Sequence, residues 1–127
     1  MTVEELKQYS HADARIGMLE KEIGRLEIRV EKKRREGLSV DDAVLEEIRE
    51  KKREKKELVL FMTSVEEYLR GIGSFEIRNI MHLYYVKDLT WAQVAKGMNE
   101  KYGNKKYTES SCRHKHDRFF KENLKKN

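Results

Sequence analysis

Leu83-Tyr84-Tyr85-Val86-Lys87-Asp88-Leu89-Thr90-Trp91-Ala92-Gln93-Val94-Ala95 is the stretch on which the fold turns. Lys87-Asp88-Leu89 breaks an apolar pattern with a charged turn, and Thr90-x-x-Gln93 follows at once. In a capping box of this form the Thr hydroxyl accepts from the amide three residues on, and the Gln side chain accepts from the cap amide in return. Thr90 and Gln93 are therefore expected to open one helix directly behind the end of another.

The segments on either side complete a group of three short helices. Upstream, Phe75 to Val86 carries Ile77, Ile80, Met81 and Tyr84 on one face, as an amphipathic helix does. Downstream, the helix capped by Thr90 continues through Val94, Ala95 and Met98 and is expected to fray near Tyr102. Gly103 to Tyr107 reads as a basic loop. Thr108 then caps a third helix from Glu109 to about Leu124. Its inner face is expected to be Cys112, Phe119 and Phe120, at i, i+7 and i+8, turned toward Trp91, Val94 and the first helix of the group.

The N-terminal half has a different pattern. Tyr9, Ala12, Ile16, Leu19, Ile23, Leu26 and Val30 alternate spacings of three and four, a heptad seam along a helix from about Val3 to Glu36. Gly37 is a natural C-terminal stop. Ser39-x-x-Asp42 reads as the start of a second helix, from about Val40 to Arg70, with Val44, Ile48, Leu58, Met62, Val65 and Leu69 on its seam and polar Lys51 and Lys55 between them. A short connection favours an antiparallel, coiled-coil-like hairpin. Its leftover apolar surface is available to the C-terminal group or to a second copy as a homodimer. Lys51 to Glu57, KKREKKE, reads as a solvated face with mixed-sign i,i+4 pairs. Gly71-Ile72-Gly73 is the clear break in helical pattern, which divides the chain into 1–73 and 74–127.

Composition agrees with an all-α fold. Of 127 residues 40% are charged and 38% hydrophobic, and proline, the strongest helix breaker, is absent. One cysteine, Cys112, excludes an intrachain disulfide framework and fits a reducing compartment. The N-terminal MTVEELKQYS lacks the apolar core of a signal peptide, and the longest apolar run, Leu58 to Met62, is far too short for a bilayer. A cytoplasmic protein with no membrane partner is expected. The net charge of +5 is placed unevenly: Lys101 to Asn127 holds nine basic and three acidic residues, so the whole excess lies there. A polyanion is the natural partner of such a segment.

A positioning helix followed by a capped helix rich in polar side chains is what a helix-turn-helix needs to enter the major groove. Glu109, Ser110, Ser111, Arg113 and His114 supply the short or forked groups that read base edges. Lys105, Lys106, Tyr107, Arg118 and Lys121 surround that helix and are candidates for phosphate contacts, which set register without specifying sequence.

Leu83 to Ala95, followed by Thr108-Glu-Ser-Ser-Cys-Arg-His-Lys-His-Asp-Arg-Phe-Phe120, resembles region 4 of bacterial sigma factors. It is most similar to the short sigma-like regulators of Gram-positive phages and prophages, the late-gene activator type included. The resemblance covers about residues 75 to 124. It is carried by Leu-Thr-Trp-x-x-Val-Ala in the second helix and Thr-x-x-x-Cys-Arg at the start of the third. It implies that Glu109, Ser110, Ser111, Arg113 and His114 face promoter bases and that RNA polymerase is a partner. The connection from Ala95 to Thr108 is several residues longer than in the family. Its early basic reading positions are here Glu and Ser, so the target sequence is not inherited. Lys115 stands where the family buries an aliphatic residue, and a snorkelling stem is one answer to that.

Other chemistries find little support. Cys112 and His116 are four apart, but no second pair stands at metal-ligand spacing, so no metal is expected. No phosphate loop, nucleophile elbow or His-Glu-x-x-His motif is present, and neither an enzyme nor a cofactor is expected. Trp91, Tyr84 and Tyr85 read as packing residues. The expected function is a sequence-specific regulator bound to double-stranded DNA. The alternatives are a phage DNA-packaging or recombination accessory with a helix-turn-helix, or a helical adaptor or inhibitor that binds an acidic protein.

Overall fold

In a chain without proline, glycine and the capping residues decide where helices stop. The computed structural model describes the backbone of residues 1–126 and side chains through Asn123. The protein is all-α. Its helices are α1 (Val3–Arg35), α2 (Asp42–Arg70), α3 (Phe75–Met81), α4 (Trp91–Tyr102) and α5 (Glu109–Lys126), with a π-helical turn at His82–Val86. No strand occurs, and no helix is long and apolar enough to cross a membrane, among the described residues.

Each boundary has a local cause. Thr2 and Glu5 form a capping box at the start of α1, with Glu5 N donating to Thr2 Oγ1 at 3.1 Å and Thr2 N to Glu5 Oε1 at 3.4 Å. Gly37 sits at φ +73° behind α1, a conformation that favours glycine. The start of α2 differs from the Ser39-x-x-Asp42 expectation. Asp41 is the cap: its carboxylate accepts from Ala43 N at 2.9 Å and its carbonyl from Leu45 N at 3.3 Å. A helix from Phe75 to Val86 is expected from the pattern. The α-helix ends at Met81 instead and widens through one π turn, closed by Lys87 N on the carbonyl of His82 at 3.0 Å. That turn brings Tyr85 into the core with Tyr84 half-buried beside it, whereas a plain helical face presents Tyr84 alone.

The chain divides into two compact units, one of residues 11–63 and one of residues 1–10 with 64–127. The division expected at Gly71–Gly73 thus lies inside the second unit. The ends of the two long helices belong with the C-terminal helices because they bury Leu6, Tyr9, Val65 and Leu69, and because Tyr9 donates its hydroxyl to Glu66 at 2.6 Å. The break itself is fixed by Arg78, whose Nε and Nη2 both donate to the carbonyl of Ile72, at 3.0 and 2.6 Å.

Within residues 11–63 the segments of α1 and α2 run in opposite directions. Arg15 pairs with Glu54 at 2.7 Å, Lys51 with Glu22 at 2.8 Å, and Lys52 with Glu27 at 3.3 Å. Leu26, Val30 and Ile48 are buried together at the connection, with Val40, Val44 and Leu45 against them. KKREKKE therefore differs from the solvated-face expectation in where its charges go: four of its residues pair across to α1, and Lys51–Glu47 is the i,i+4 contact, at 3.8 Å. The half-buried Lys51 interrupts the seam because Glu22 answers it there, and that bond holds the Glu22 carboxyl below its usual range.

Candidate nucleic-acid interface

The third helix of the C-terminal group is held from three sides, and the grip begins with α4. Thr90 and Gln93 make the expected capping box: Gln93 N donates to Thr90 Oγ1 at 3.2 Å and Thr90 N to Gln93 Oε1 at 2.9 Å. From this start α4 buries Val94, Ala95 and Met98 with Ile80, Tyr107 and Cys112. Gly97 lets the π turn approach, since a Cβ there meets Leu83 Cδ1 at 3.1 Å. Gly103, at φ +62°, ends the helix. The long connection between Ala95 and Thr108 is thus mostly helix, followed by a short loop.

That loop is ordered by Asn99. Its Nδ2 donates to the carbonyl of Tyr107 at 2.9 Å, and its Oδ1 accepts from Tyr107 N at 2.8 Å. Tyr107 is then carried into the core, 7% exposed, with its hydroxyl donating to Glu76 Oε2 at 2.6 Å. The bond to Glu76 is the main reason the phenol is pushed up to about 12. A phosphate contact through Tyr107 is therefore corrected: ring and hydroxyl are both committed inside the protein. Lys106 and Lys105 flank it and are exposed.

Glu76 joins α3, the loop and α5. Its other oxygen accepts from Lys115 Nζ at 2.8 Å, and the bonds from Lys115 and Tyr107 hold its carboxyl below the usual range. Lys115 is half-buried along its stem and ends on this carboxylate. Neither Asn99 nor Glu76 has a local sequence signal, because both act on residues far along the chain.

Thr108 starts α5 through a third reciprocal cap of this kind. Ser111 N donates to Thr108 Oγ1 at 3.0 Å, and Thr108 N to Ser111 Oγ at 2.9 Å. Ser111 Oγ also donates to the carbonyl of Thr108 at 3.1 Å. Ser111 is thus spent on the cap, which corrects its place among the base-reading candidates. Thr108-x-x-Ser111 was the signal that could have revealed this.

Beyond the cap, α5 has two distinct faces. Cys112 and His116 are buried, and Phe119 and Phe120 are half-buried, so His116 joins the expected inner face. Burial raises the Cys112 thiol, the opposite of what a reactive cysteine needs. On the other face Glu109, Ser110, Arg113, His114, Arg118 and Lys121 are all exposed. Glu109, Ser110, Arg113 and His114, with Asp117, line one shallow concavity. No described acid pairs with Lys105, Lys106, Arg113, Arg118 or Lys121.

Compared with known proteins, the chain matches no protein-family model, no curated protein and no solved structure. No group of three or more metal-ligating side chains occurs among the described residues.

Proposed function

We propose that this chain is a sequence-specific regulator of transcription that binds duplex DNA, of the kind carried by phages and prophages. Residues 75–124 act as a sigma region 4-like helix-turn-helix, with α5 as the reading helix. The observation that carries this is the outward face of α5. Glu109, Ser110, Arg113 and His114 stand exposed together on its first turns, while the opposite face is anchored by Cys112 and His116. Arg113 suits the acceptor edge of guanine, and Glu109 suits the amino group of cytosine. Lys105 and Lys106 before the helix, with Arg118 and Lys121 along it, supply phosphate contacts on both sides. RNA polymerase is the protein partner of this reading.

The test is selection of bound sites from random duplex, followed by affinity for the selected site across a salt series. With about four phosphate contacts, log affinity should fall against log salt with a slope near −0.9 per contact. Binding to no duplex, or binding indifferent to salt, ends the proposal.

A further inference from the structure

Residues 11–63 carry a surface that neither their own core nor the DNA-binding reading uses. Between α1 and α2 runs an open groove whose floor is Ile23, Gly24, Val59 and Leu60. Val59 and Leu60 are 43% and 61% exposed, and Ile28, one turn beyond Gly24 on α1, is 66% exposed. A Cβ built on Gly24 meets nothing within 4 Å, so the floor stands open there. Large apolar side chains gathered along one groove mark an interaction surface more often than a solvated one.

The charges along the groove point to what lies on it. The α1 wall contributes Glu20 and Glu27, and the α2 wall contributes Lys52, Lys55 and Lys56. One wall is acidic and the other basic, so the surface is complementary to itself, as an isologous two-fold interface requires. Two orientations bring the grooves of two copies face to face. A two-fold across the groove sets α1 on the other copy's α1 and opposes like charges. A two-fold along the groove sets α1 on the other copy's α2, with Glu20 and Glu27 over the partner's lysines. In either orientation every neighbouring helix pair is antiparallel, the usual arrangement of a four-helix bundle, so the charges choose between them.

We propose that this groove is a homodimer interface, and that a second copy of the chain seats on it about a two-fold axis parallel to the helices. Val59 and Leu60 of each copy supply the apolar seam, with the charged walls as its rim. The rim sets orientation more than affinity, since exposed ion pairs add little binding energy. The proposal stands apart from DNA binding and is read without DNA.

The decisive experiment uses the full-length chain, its mass followed by sedimentation across a concentration series and by native mass spectrometry of mixtures. Wild type is expected to dimerise as concentration rises. Leu60→Asp, at a position already exposed and so compatible with folding, is expected to weaken dimerisation about tenfold or more by placing a carboxylate in the seam. The fourfold swap Glu20→Lys, Glu27→Lys, Lys52→Glu, Lys55→Glu exchanges both members of two intrachain pairs, Glu20–Lys55 and Glu27–Lys52. It therefore keeps each pair while inverting both walls. The swapped chain is expected to dimerise with itself but not with wild type. Monomeric wild type at every concentration, or a Leu60→Asp chain that dimerises normally, overturns the proposal. Random mixing of swapped and wild-type chains overturns it too, because the walls then do not meet. Preferential mixing overturns the axis, because it requires like walls to face each other.

Discussion

His116 Nε2 lies 2.6 Å from the hydroxyl of Tyr85, and its Nδ1 lies 2.9 Å from a carboxylate oxygen of Asp117. A carboxylate only accepts, so Nδ1 carries the proton, and Nε2 of the neutral ring accepts from Tyr85. The rings of Tyr84, Trp91 and Phe120 complete the surroundings, with centroids 5.7, 5.0 and 4.9 Å away. One imidazole thus joins α5 to the π turn and to the start of α4.

Because His116 is held neutral, stability should fall with acid. Burial is the main cause of its lowered pKa, aided by Lys7 and Arg113 and opposed by Asp117. The unfolded chain takes up a proton below about pH 6.5, where the folded chain does not, so acid favours unfolding. The loss begins as pH drops through about 6.5 and continues down to the lowered folded pKa. The slope is at most about 1.4 kcal/mol per pH unit for each such group. His82 shifts in the same direction, through partial desolvation and then Lys87 and Lys101, but the residue is exposed and solvent screening makes its share the smaller. Thermal melts between pH 7.5 and 5 should show this fall. His116→Gln, which keeps an acceptor for Tyr85 but does not titrate, should flatten it, leaving the share due to His82. An unchanged slope in that variant would mean that His116 is not the group responsible.

Tyr107 gives a prediction at the other end of the pH scale. Its phenol ionises near 12 in the folded chain and near 10 in the unfolded one. The stability it contributes is therefore complete below about pH 10 and is lost as pH rises toward 12. Tyr107→Phe removes a hydrogen bond to a carboxylate and should cost about 1–2 kcal/mol in denaturant unfolding at neutral pH. Glu76→Gln weakens the links to both Tyr107 and Lys115 and should destabilise at least as much. A Tyr107→Phe chain as stable as wild type would show that the loop does not depend on this contact.

These two sites also mark what the sequence made legible. Helix starts that rest on contacts three residues apart, such as Thr90 with Gln93, were readable because cap and partner lie side by side in the chain. The apolar seams were readable because periodicity is local. Burial of Tyr107 was not, since it depends on Asn99 eight residues earlier and on Glu76 thirty-one residues earlier. The π turn also left no mark, as it follows from how Tyr84 and Tyr85 pack against Trp91 and His116. Lys51 and Lys55 were visible as seam breaks, but their partners Glu22 and Glu20 lie on the opposite helix.

Gly17 offers a gain in stability. It lies in the interior of α1, where glycine costs about 0.5–1 kcal/mol relative to alanine. A Cβ built there meets nothing within 4 Å. Gly17→Ala should therefore stabilise the chain by about 0.5–1 kcal/mol. Denaturant midpoints measure this directly, and a lower midpoint would show that the open space at Gly17 is used.

On selected duplex sites, three substitutions around α5 should separate three roles. Arg113→Ala removes an exposed forked donor from the reading face. It should cost about 1–3 kcal/mol on the preferred site and relax preference at one base position. Lys106→Ala removes an exposed charge and should weaken every sequence alike, with the salt slope reduced by about one contact. Ser111→Ala breaks the capping box at Thr108, so it should lower stability by about 1 kcal/mol and leave base preference unchanged. Sequence-selection profiles of the three variants beside wild type decide the matter. If Ser111→Ala shifts base preference and Arg113→Ala does not, the face of α5 assigned to DNA is the wrong one.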